Sequence, residues 1–230
     1  SFEQTLSFNG NILNGNLIAF IVLQMLIVHI PLLVALVTGD LLSGEAAMGT
    51  LRMLLTKPIS RSQVVLSKLI AAAVYTFILV IWMGFLALIV GRWVFGSGDL
   101  IVLNSDGLVI LNDADVLWRY GLAFLVAYLA LLTIATLSVA FSAFADNSIG
   151  PIVSTMAVII LFTIIGSLDV SVFDSVKPWL FTTHMASWRS FFNDPVPWSA
   201  IWESIWILMA HNILFVAIAL FKFQRKDITS

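Results

Sequence analysis

The sequence contains no cysteine and very few charged residues. The first absence excludes disulfide bonds, thiol catalysis and cysteine-ligated metal sites, and it leaves the redox environment undetermined. Charged residues make up 10% of the 230 residues, whereas soluble domains contain about 25%. Because 60% of the residues are hydrophobic and the mean hydropathy is +1.05, we predict an integral membrane protein.

The motifs of nucleotide hydrolysis and of hydrolytic catalysis are also missing. Gly91 and Gly96 have the first spacing of a phosphate-binding loop, but Ser97 and Gly98 follow where that motif requires a lysine. No H-E-x-x-H or G-x-S-x-G pattern occurs, and the three histidines are too scattered to indicate a metal site. We expect no enzymatic activity, no metal or cofactor bound by this chain, and no nucleic-acid partner.

Long apolar runs are the main feature that is present. A helix needs about 20 apolar residues to cross the hydrocarbon core of a bilayer, and five runs reach this length. They are residues 17–37, 69–90, 117–144, 149–168 and 204–221. We predict an all-α polytopic membrane protein with a single transmembrane domain over residues 1–230. The predicted connections are a loop at 38–66 and two segments on the other side, 91–116 and 169–203.

Basic residues are distributed unequally between the two sides that these spans define. One side carries seven basic and four acidic residues, and the other carries four basic and nine acidic residues. The basic side is expected to be cytoplasmic, which places loop 38–66 and the C-terminus inside and residue 1 outside. Because residue 1 would lie outside, we expect one further span before it. We also expect a multi-pass protein of a bacterial inner membrane. The seven basic residues are Arg52, Lys57, Arg61, Lys68, Lys222, Arg225 and Lys226.

The loop after the first predicted span contains the signals of a short helix. Ser43 is expected to cap it, and Glu45 would lie in its first turn, where the helix dipole favours an acid. Pro58 would end it. Its apolar positions recur at helical spacing and predict one stripe, formed by Met48, Leu51 and Leu55.

A second helix is predicted to start directly after the short one. Ser60 and Gln63 have the spacing of a capping box, and the apolar run that follows continues to about Val90. At 1.5 Å per residue, this helix would be about 45 Å long. The short helix would therefore lie on the inner membrane surface and be joined rigidly to a span on either side. An interfacial helix without any partner is the alternative interpretation.

Polar residues inside the predicted spans are candidates for a transport pathway, because polar groups are costly in hydrocarbon. A packing role is the alternative, with a kink at Pro31 beside His29 and with hydroxyls that bond back to their own helix or serve close helix packing. The spans carry no acid or base at mid-depth, which argues against proton coupling. The candidate pathway residues are Gln24, His29, Thr133, Thr136 and Asn212.

Two segments on the opposite side from the loop have recognisable patterns. Residues 99–115 contain two β-rich runs around Asp106 and Gly107, which predicts a hairpin. Residues 170–198 are rich in aromatic residues and contain three prolines. We expect short helices there that partly re-enter the outer leaflet, where surrounding protein shields them.

The loop resembles the connection between the second and third spans of ABC-2 type transporter permeases. The tail at 223–228 and the segment 188–198 are also similar to that family, so the resemblance covers the whole chain except for an absent first span. The residues that carry it in the loop are Gly39-Asp40, Ser43-Gly44-Glu45, the pattern Gly49-Thr50-Leu51-Arg52-x-Leu54-Leu55-x-x-Pro58-Ile59-Ser60-Arg61, and Lys68.

The resemblance implies a half-transporter with the fold of type V ABC exporters, which dimerises with a second copy or a homologue. Two separate ABC ATPase subunits would bind ATP and Mg²⁺ and would receive the short helix as a coupling helix. The implied ATPase contacts are Glu45, Gly49, Thr50, Leu51, Arg52, Leu55 and Pro58. The alternative is that these residues do not contact an ATPase: Leu51 and Leu55 would lie among lipid headgroups, and Arg52 would snorkel to the interface.

Two other functions are compatible with the same sequence. The chain could be a non-transporting membrane scaffold that couples an ATPase to mechanical work on the envelope or on a protein complex. It could also be a carrier or channel that works without ATP. The identity of a transported substrate is not encoded in any motif described above.

Overall fold

The structure is a computed structural model that describes residues 13–25, 29–56, 58–104 and 107–226, without the side chains of Arg52, Leu54 and Leu55. The described chain is mostly helical. Its α-helices are α1 (Gly15–Gln24), α2 (His29–Ala47), α3 (Thr50–Leu55), α4 (Arg61–Gly84), α5 (Gly91–Phe95), α6 (Asp113–Phe144), α7 (Ile149–Ser167), α8 (Phe181–His184) and α9 (Trp198–Gln224). A π-helical segment, Phe85–Val90, joins α4 to α5, so the backbone is helical from Arg61 to Phe95.

Five of the described helices are long and apolar enough to cross a membrane, which supports a polytopic all-α membrane protein. The outward faces of α4, α7 and α9 are apolar, and Ile70, Ile160 and Trp206 on these faces are all more than half exposed. A helix that is apolar on its outer face is expected where lipid replaces water. The five helices are His29–Ala47, Arg61–Phe95, Asp113–Phe144, Ile149–Ser167 and Trp198–Gln224.

The first predicted span, residues 17–37, differs from the structure because this part of the chain forms two helices. Asn14 caps α1 by accepting a hydrogen bond from the backbone N–H of Leu17, and α1 ends after ten residues, too few to cross a bilayer. The predicted kink assumed that Pro31 lies inside one continuous span. Pro31 lies in the first turn of α2, where the missing N–H of proline leaves no helical hydrogen bond unmade.

Helix α6 is the centre of the bundle. It packs against α2, α4, α7 and α9, and 72% of its most apolar window is buried, against 17% for α4 and 22% for α9. Its second half is rich in alanine, serine and threonine, and these small side chains allow neighbouring helices to approach closely. Gly39 of α2 packs closely against this part of α6, since a Cβ atom at Gly39 would lie 2.9 Å from the Oγ atom of Ser138.

The bundle has two distinct ends. At the loop end, α2 runs into α3 and α4, and the end of α9 contacts the start of α4. At the hairpin end, strands β1 (Leu100–Asn104) and β2 (Gly107–Leu111) pair in antiparallel register between α5 and α6. The predicted hairpin is confirmed, with Asn104 opposite Gly107.

Short helices fill the chain between α7 and α9 at the hairpin end, as predicted for residues 170–198. Three are 3₁₀ segments, at Ser171–Phe173, Lys177–Trp179 and Ser187–Phe192, and the fourth is α8. Trp188 and Phe192 of the last 3₁₀ segment are fully buried. Both rings pack edge-on against Phe20 of α1, so this segment covers the short first helix.

Candidate functional site

The loop end contains the candidate coupling residues, but its helices begin and end at other positions than predicted. Ser43 does not cap a helix. It is buried inside α2, its hydroxyl donates to the carbonyl oxygen of Gly39 at 2.8 Å, and its backbone N–H donates to the Oγ atom of Ser142 at 2.9 Å. Because its hydroxyl bonds back to the preceding turn of α2, Ser43 does not act as an N-cap; α2 continues to Ala47, and the short helix α3 begins at Thr50.

Gly49 makes the turn between α2 and α3. Its φ angle is +70°, a left-handed conformation that glycine adopts without the clash of a Cβ atom. The backbone N–H of Gly49 donates to the carbonyl oxygen of Ala46 at 3.0 Å. Two residues therefore separate the end of α2 from the start of α3, and the connection has little freedom.

The predicted apolar stripe of the short helix is wrong for two of its three members. Leu51 is buried in the core with 2% of its surface exposed, whereas Met48 is 70% exposed and lies in the turn before α3. Met53, which the stripe did not include, is 66% exposed. Among the described side chains of the loop, Met48, Met53 and Ile59 are the exposed large apolar groups, and Leu51 anchors α3 to the bundle. The side chain of Leu55 lies outside the described part.

The start of α4 follows the prediction. The Ser60 hydroxyl accepts from the backbone N–H of Gln63, and the Gln63 side chain accepts from the backbone N–H of Ser60 at 2.9 Å. This capping box is confirmed. Pro58 and Ile59 precede it and are exposed. We call residues 48–60 the loop segment.

Glu45 lies in the last turn of α2, not in the first turn of the short helix. A carboxylate is disfavoured at a helix C-terminus, and here it forms an ion pair with the ammonium group of Lys68 on α4. The hydroxyl of Thr50 donates to the carbonyl oxygen of Glu45 at 3.2 Å. These contacts link α2, α3 and α4 at one point.

The C-terminal end of α9 is attached to the same region. The Nη1 atom of Arg61 donates to main-chain oxygens at this end, including that of Gln224 at 3.2 Å. A cation at the C-terminus of a helix is favoured by its dipole. The ammonium group of Lys226 lies 2.7 Å from a carboxylate oxygen of Asp146, which follows α6. The start of α4, the end of α9 and the end of α6 are therefore connected beside the loop segment, and we call these connected helix ends the base of the loop segment.

Three of the five candidate pathway residues meet inside the bundle. The amide nitrogen of Asn212 donates to the hydroxyl of Thr133 at 2.7 Å and to the carbonyl oxygen of Leu208 at 2.9 Å. The hydroxyl of Thr136 is 3.1 Å from the amide oxygen of Asn212. All three are buried, and their polar atoms are occupied by each other and by main-chain oxygens.

The other two candidates lie apart from this cluster. Gln24, at the end of α1, accepts a hydrogen bond from the guanidinium group of Arg189 at the hairpin end. His29 is exposed at the first position of α2. The five residues therefore do not form one pathway in this structure.

A polar cluster at the hairpin end was missed by sequence reasoning. Asn16 is fully buried, and its amide nitrogen donates to the carbonyl oxygen of Gly98 at 2.6 Å and to the Asp113 carboxylate at 2.7 Å. Arg92 forms an ion pair with the same carboxylate. These residues join α1, α5, the chain just before the hairpin and α6. Asn14 and Asn16, at the start of α1, were the available signal, but nothing in the sequence indicates their distant partners.

Arg119 holds the short helices to α6. It is 5% exposed, and its Nη1 atom donates to the carbonyl oxygens of Phe191 and Asn193, both at 2.8 Å. Its Nε atom donates to Asp115 at 2.8 Å. The arginine was counted from the sequence only as a topology signal, and the structure shows that it fixes the segment before α9.

No group of three or more histidine, cysteine, aspartate or glutamate side chains that could hold a metal ion lies in the described part of the chain. Comparison with curated proteins finds no match. A family model matches residues 4–229, and its description is protein of unknown function, DUF2705. The match covers nearly the whole sequence, and we conclude that the chain belongs to the DUF2705 family.

Proposed function

We propose that the chain is the membrane-spanning permease subunit of an ABC-2 type transporter, acting as an exporter. The observation that supports this most directly is the attachment of α3. Two residues connect it to α2, a capping box opens α4 soon after it, and the ion pair between Glu45 and Lys68 links the two long helices beside it. A force on α3 would move both spans together.

The surface that a partner would contact consists of the exposed side chains of the loop segment. Among its described side chains, Met48 and Met53 are the most exposed large apolar groups, and Pro58 and Ile59 are also exposed. Methionine side chains adapt to irregular apolar grooves. In this proposal, Leu51 and Glu45 transmit the force from inside the bundle and do not touch the partner.

The mechanism needs no chemistry in this chain. Two separate ATPase subunits bind ATP and Mg²⁺, and their closure pushes the loop segments of two permease copies. Each loop segment moves its α2 and α4 against the central α6, and a path opens between the copies. The loop end and the C-terminus lie in the cytoplasm of a bacterial cell, by the distribution of basic residues.

Co-purification with the ATP-binding protein encoded by the neighbouring gene tests the docking surface. We expect the complex to form with the wild-type chain and to be lost on Arg52→Glu or on deletion of residues 49–55. Met53→Glu should weaken it by about tenfold or more, because a carboxylate is costly in an apolar contact. Met53→Leu is the matched control and should bind normally.

Flux of candidate solutes into liposomes that contain the complex tests transport itself. ATP-dependent flux that Met53→Glu abolishes would support the exporter. ATP hydrolysis that depends on the chain, without flux of any solute, would favour the scaffold function. Flux by the chain alone, without an ATPase, would overturn the proposal.

A further inference from the structure

An apolar groove between α4, α6 and α9 opens on the surface of the bundle near the loop end. Its volume is about 490 Å³, within the range of about 300–1,000 Å³ that is common for small-molecule sites. Six of its lining residues define its two walls: Leu66, Ile70 and Ala73 on α4, and Ile213, Ala217 and Leu220 on α9.

The groove offers no free polar group to a ligand along its described walls. Its polar lining residues are Thr136 and Asn212 at the inner end. The amide nitrogen of Asn212 donates to Thr133 and Leu208, and its amide oxygen accepts from Thr136. A polar solute would have to leave its water without gaining hydrogen bonds in return, so the occupant must be apolar along this length.

The dimensions of the groove fit one lipid tail better than a helix. From Leu66 to Ala73, the wall is about 10 Å long at 1.5 Å per residue, which is less than the half-thickness of about 15 Å of a bilayer core. A partner helix would need a groove along most of the bilayer. At the loop end, the Gln224 side chain donates to the hydroxyl of Ser62 at 2.9 Å, one helical turn beyond the lining residues Leu220 and Leu66.

The chain at the loop end of the groove carries positive charge. Ser62 and Gln224 continue the groove-facing positions of α4 and α9 by one helical turn, and Arg61 lies directly beside them. Arg61, Lys222 and Arg225 form no ion pair with any carboxylate of the described residues. Basic side chains at the end of a membrane-spanning helix attract anionic lipid headgroups.

We propose that this groove binds one phospholipid with an anionic headgroup from the leaflet at the loop end. One acyl chain lies between α4 and α9, over Ala73 and Ala217, and the phosphate lies next to Arg61. Because the lipid would contact both the start of α4 and the end of α9, its binding would stabilise the base of the loop segment. The inference does not depend on the transport function.

Native mass spectrometry of the full chain in detergent tests the site, with dioleoyl phosphatidylglycerol and dioleoyl phosphatidylcholine as probes. We expect one phosphatidylglycerol per chain, retained in preference to phosphatidylcholine. Ala73→Trp and Ala217→Trp fill the groove from opposite walls and should each weaken binding by about tenfold or more. Ala71→Trp is the matched control, because Ala71 is exposed on α4 outside the groove, and it should bind as the wild type does.

Substitutions at Arg61 test recognition of the anionic headgroup separately from the apolar groove. Arg61→Gln should reduce the preference for phosphatidylglycerol by about fivefold, and Arg61→Lys, which keeps the charge, should retain it. Equal retention of both lipids by the wild type would overturn the anionic site. Unchanged binding by either tryptophan variant that folds would overturn the groove as its location. A change from dimer to monomer in these variants, without loss of lipid, would show that a second copy occupies the groove.

Discussion

The ammonium group of Lys68 contacts the carboxylate of Glu45, and this pair ties the last turn of α2 to α4 beside the loop segment. Both side chains are about three-quarters buried, so the pair is less screened by solvent than an exposed one. It directly joins the two long helices that flank α3. Any movement of α3 that separates these helices must break it.

Removing one partner of this pair should destabilise the loop end. Glu45→Gln leaves the Lys68 cation without its partner, and we expect the free energy of unfolding to fall by about 1.5–3 kcal/mol. Chemical unfolding in detergent measures the loss. The exchanged pair Glu45→Lys with Lys68→Glu should recover part of it, and a loss of the same size in the exchanged pair would argue against a direct interaction.

Close packing of α2 against α6 should make Gly39 intolerant of even a methyl group. A Cβ at Gly39 would lie 2.9 Å from the Ser138 hydroxyl and 3.1 Å from Ile152, so we expect Gly39→Ala to cost about 1–3 kcal/mol. Gly121 is the matched control, since a Cβ there meets nothing within 4 Å. Gly121→Ala should stabilise the protein by about 0.5–1 kcal/mol. Thermal unfolding of both variants in one detergent checks the contrast.

The buried amide of Asn212 should couple α9 to α6. A double-mutant cycle with Asn212→Leu and Thr136→Val is expected to give an interaction free energy of about 0.6–1.7 kcal/mol, the range for hydrogen bonds between membrane helices. Thr163→Val is the control, because the Thr163 hydroxyl donates to the carbonyl oxygen of Ile159 in its own helix. A cycle between Asn212 and Thr163 should give no coupling, and a zero value for Thr136 as well would contradict the contact.

Substitution of Gly49 should be limited by the left-handed backbone conformation of the turn and not by contacts of the added side chain. A Cβ at Gly49 meets nothing within 4 Å, yet Gly49→Ala should cost about 1–2 kcal/mol because φ is positive there. Gly49→Asn should cost less, since asparagine tolerates this region. Unfolding measurements rank the three proteins, and an alanine variant as stable as the wild type would show that the turn rearranges freely.

Local patterns were the part of the fold that could be predicted. The capping box at Ser60 and Gln63 depends on two residues three positions apart, and the hairpin depends on two adjacent apolar runs, so each was available in a short stretch of sequence. The presence of several membrane-crossing helices followed from the length of the apolar runs.

Predictions that needed a distant partner were the ones that differed. Ser43 has the residue type of a helix cap, but Ser142, about 100 positions away, bonds its backbone N–H inside α2. Leu51 has the spacing of one apolar stripe with Met48, but the bundle buries Leu51 and leaves Met48 exposed. The pathway candidates Thr133, Thr136 and Asn212 met each other because α6 and α9 cross at that depth, which no local spacing encodes.

By itself, the sequence determined that the chain is a membrane protein of several helices, with a loop segment between two of them and an excess of basic residues on the side of that loop. The length of an apolar run and the positions of basic residues determine how a segment sits in the membrane, so both can be interpreted without knowing which residues pack against each other. The tertiary structure alone decided that Leu51 is buried and Met53 is exposed, that Glu45 belongs to α2, and that a groove lies between α4 and α9. These features depend on contacts between residues far apart in the chain, and they exist only after the helices have packed around α6.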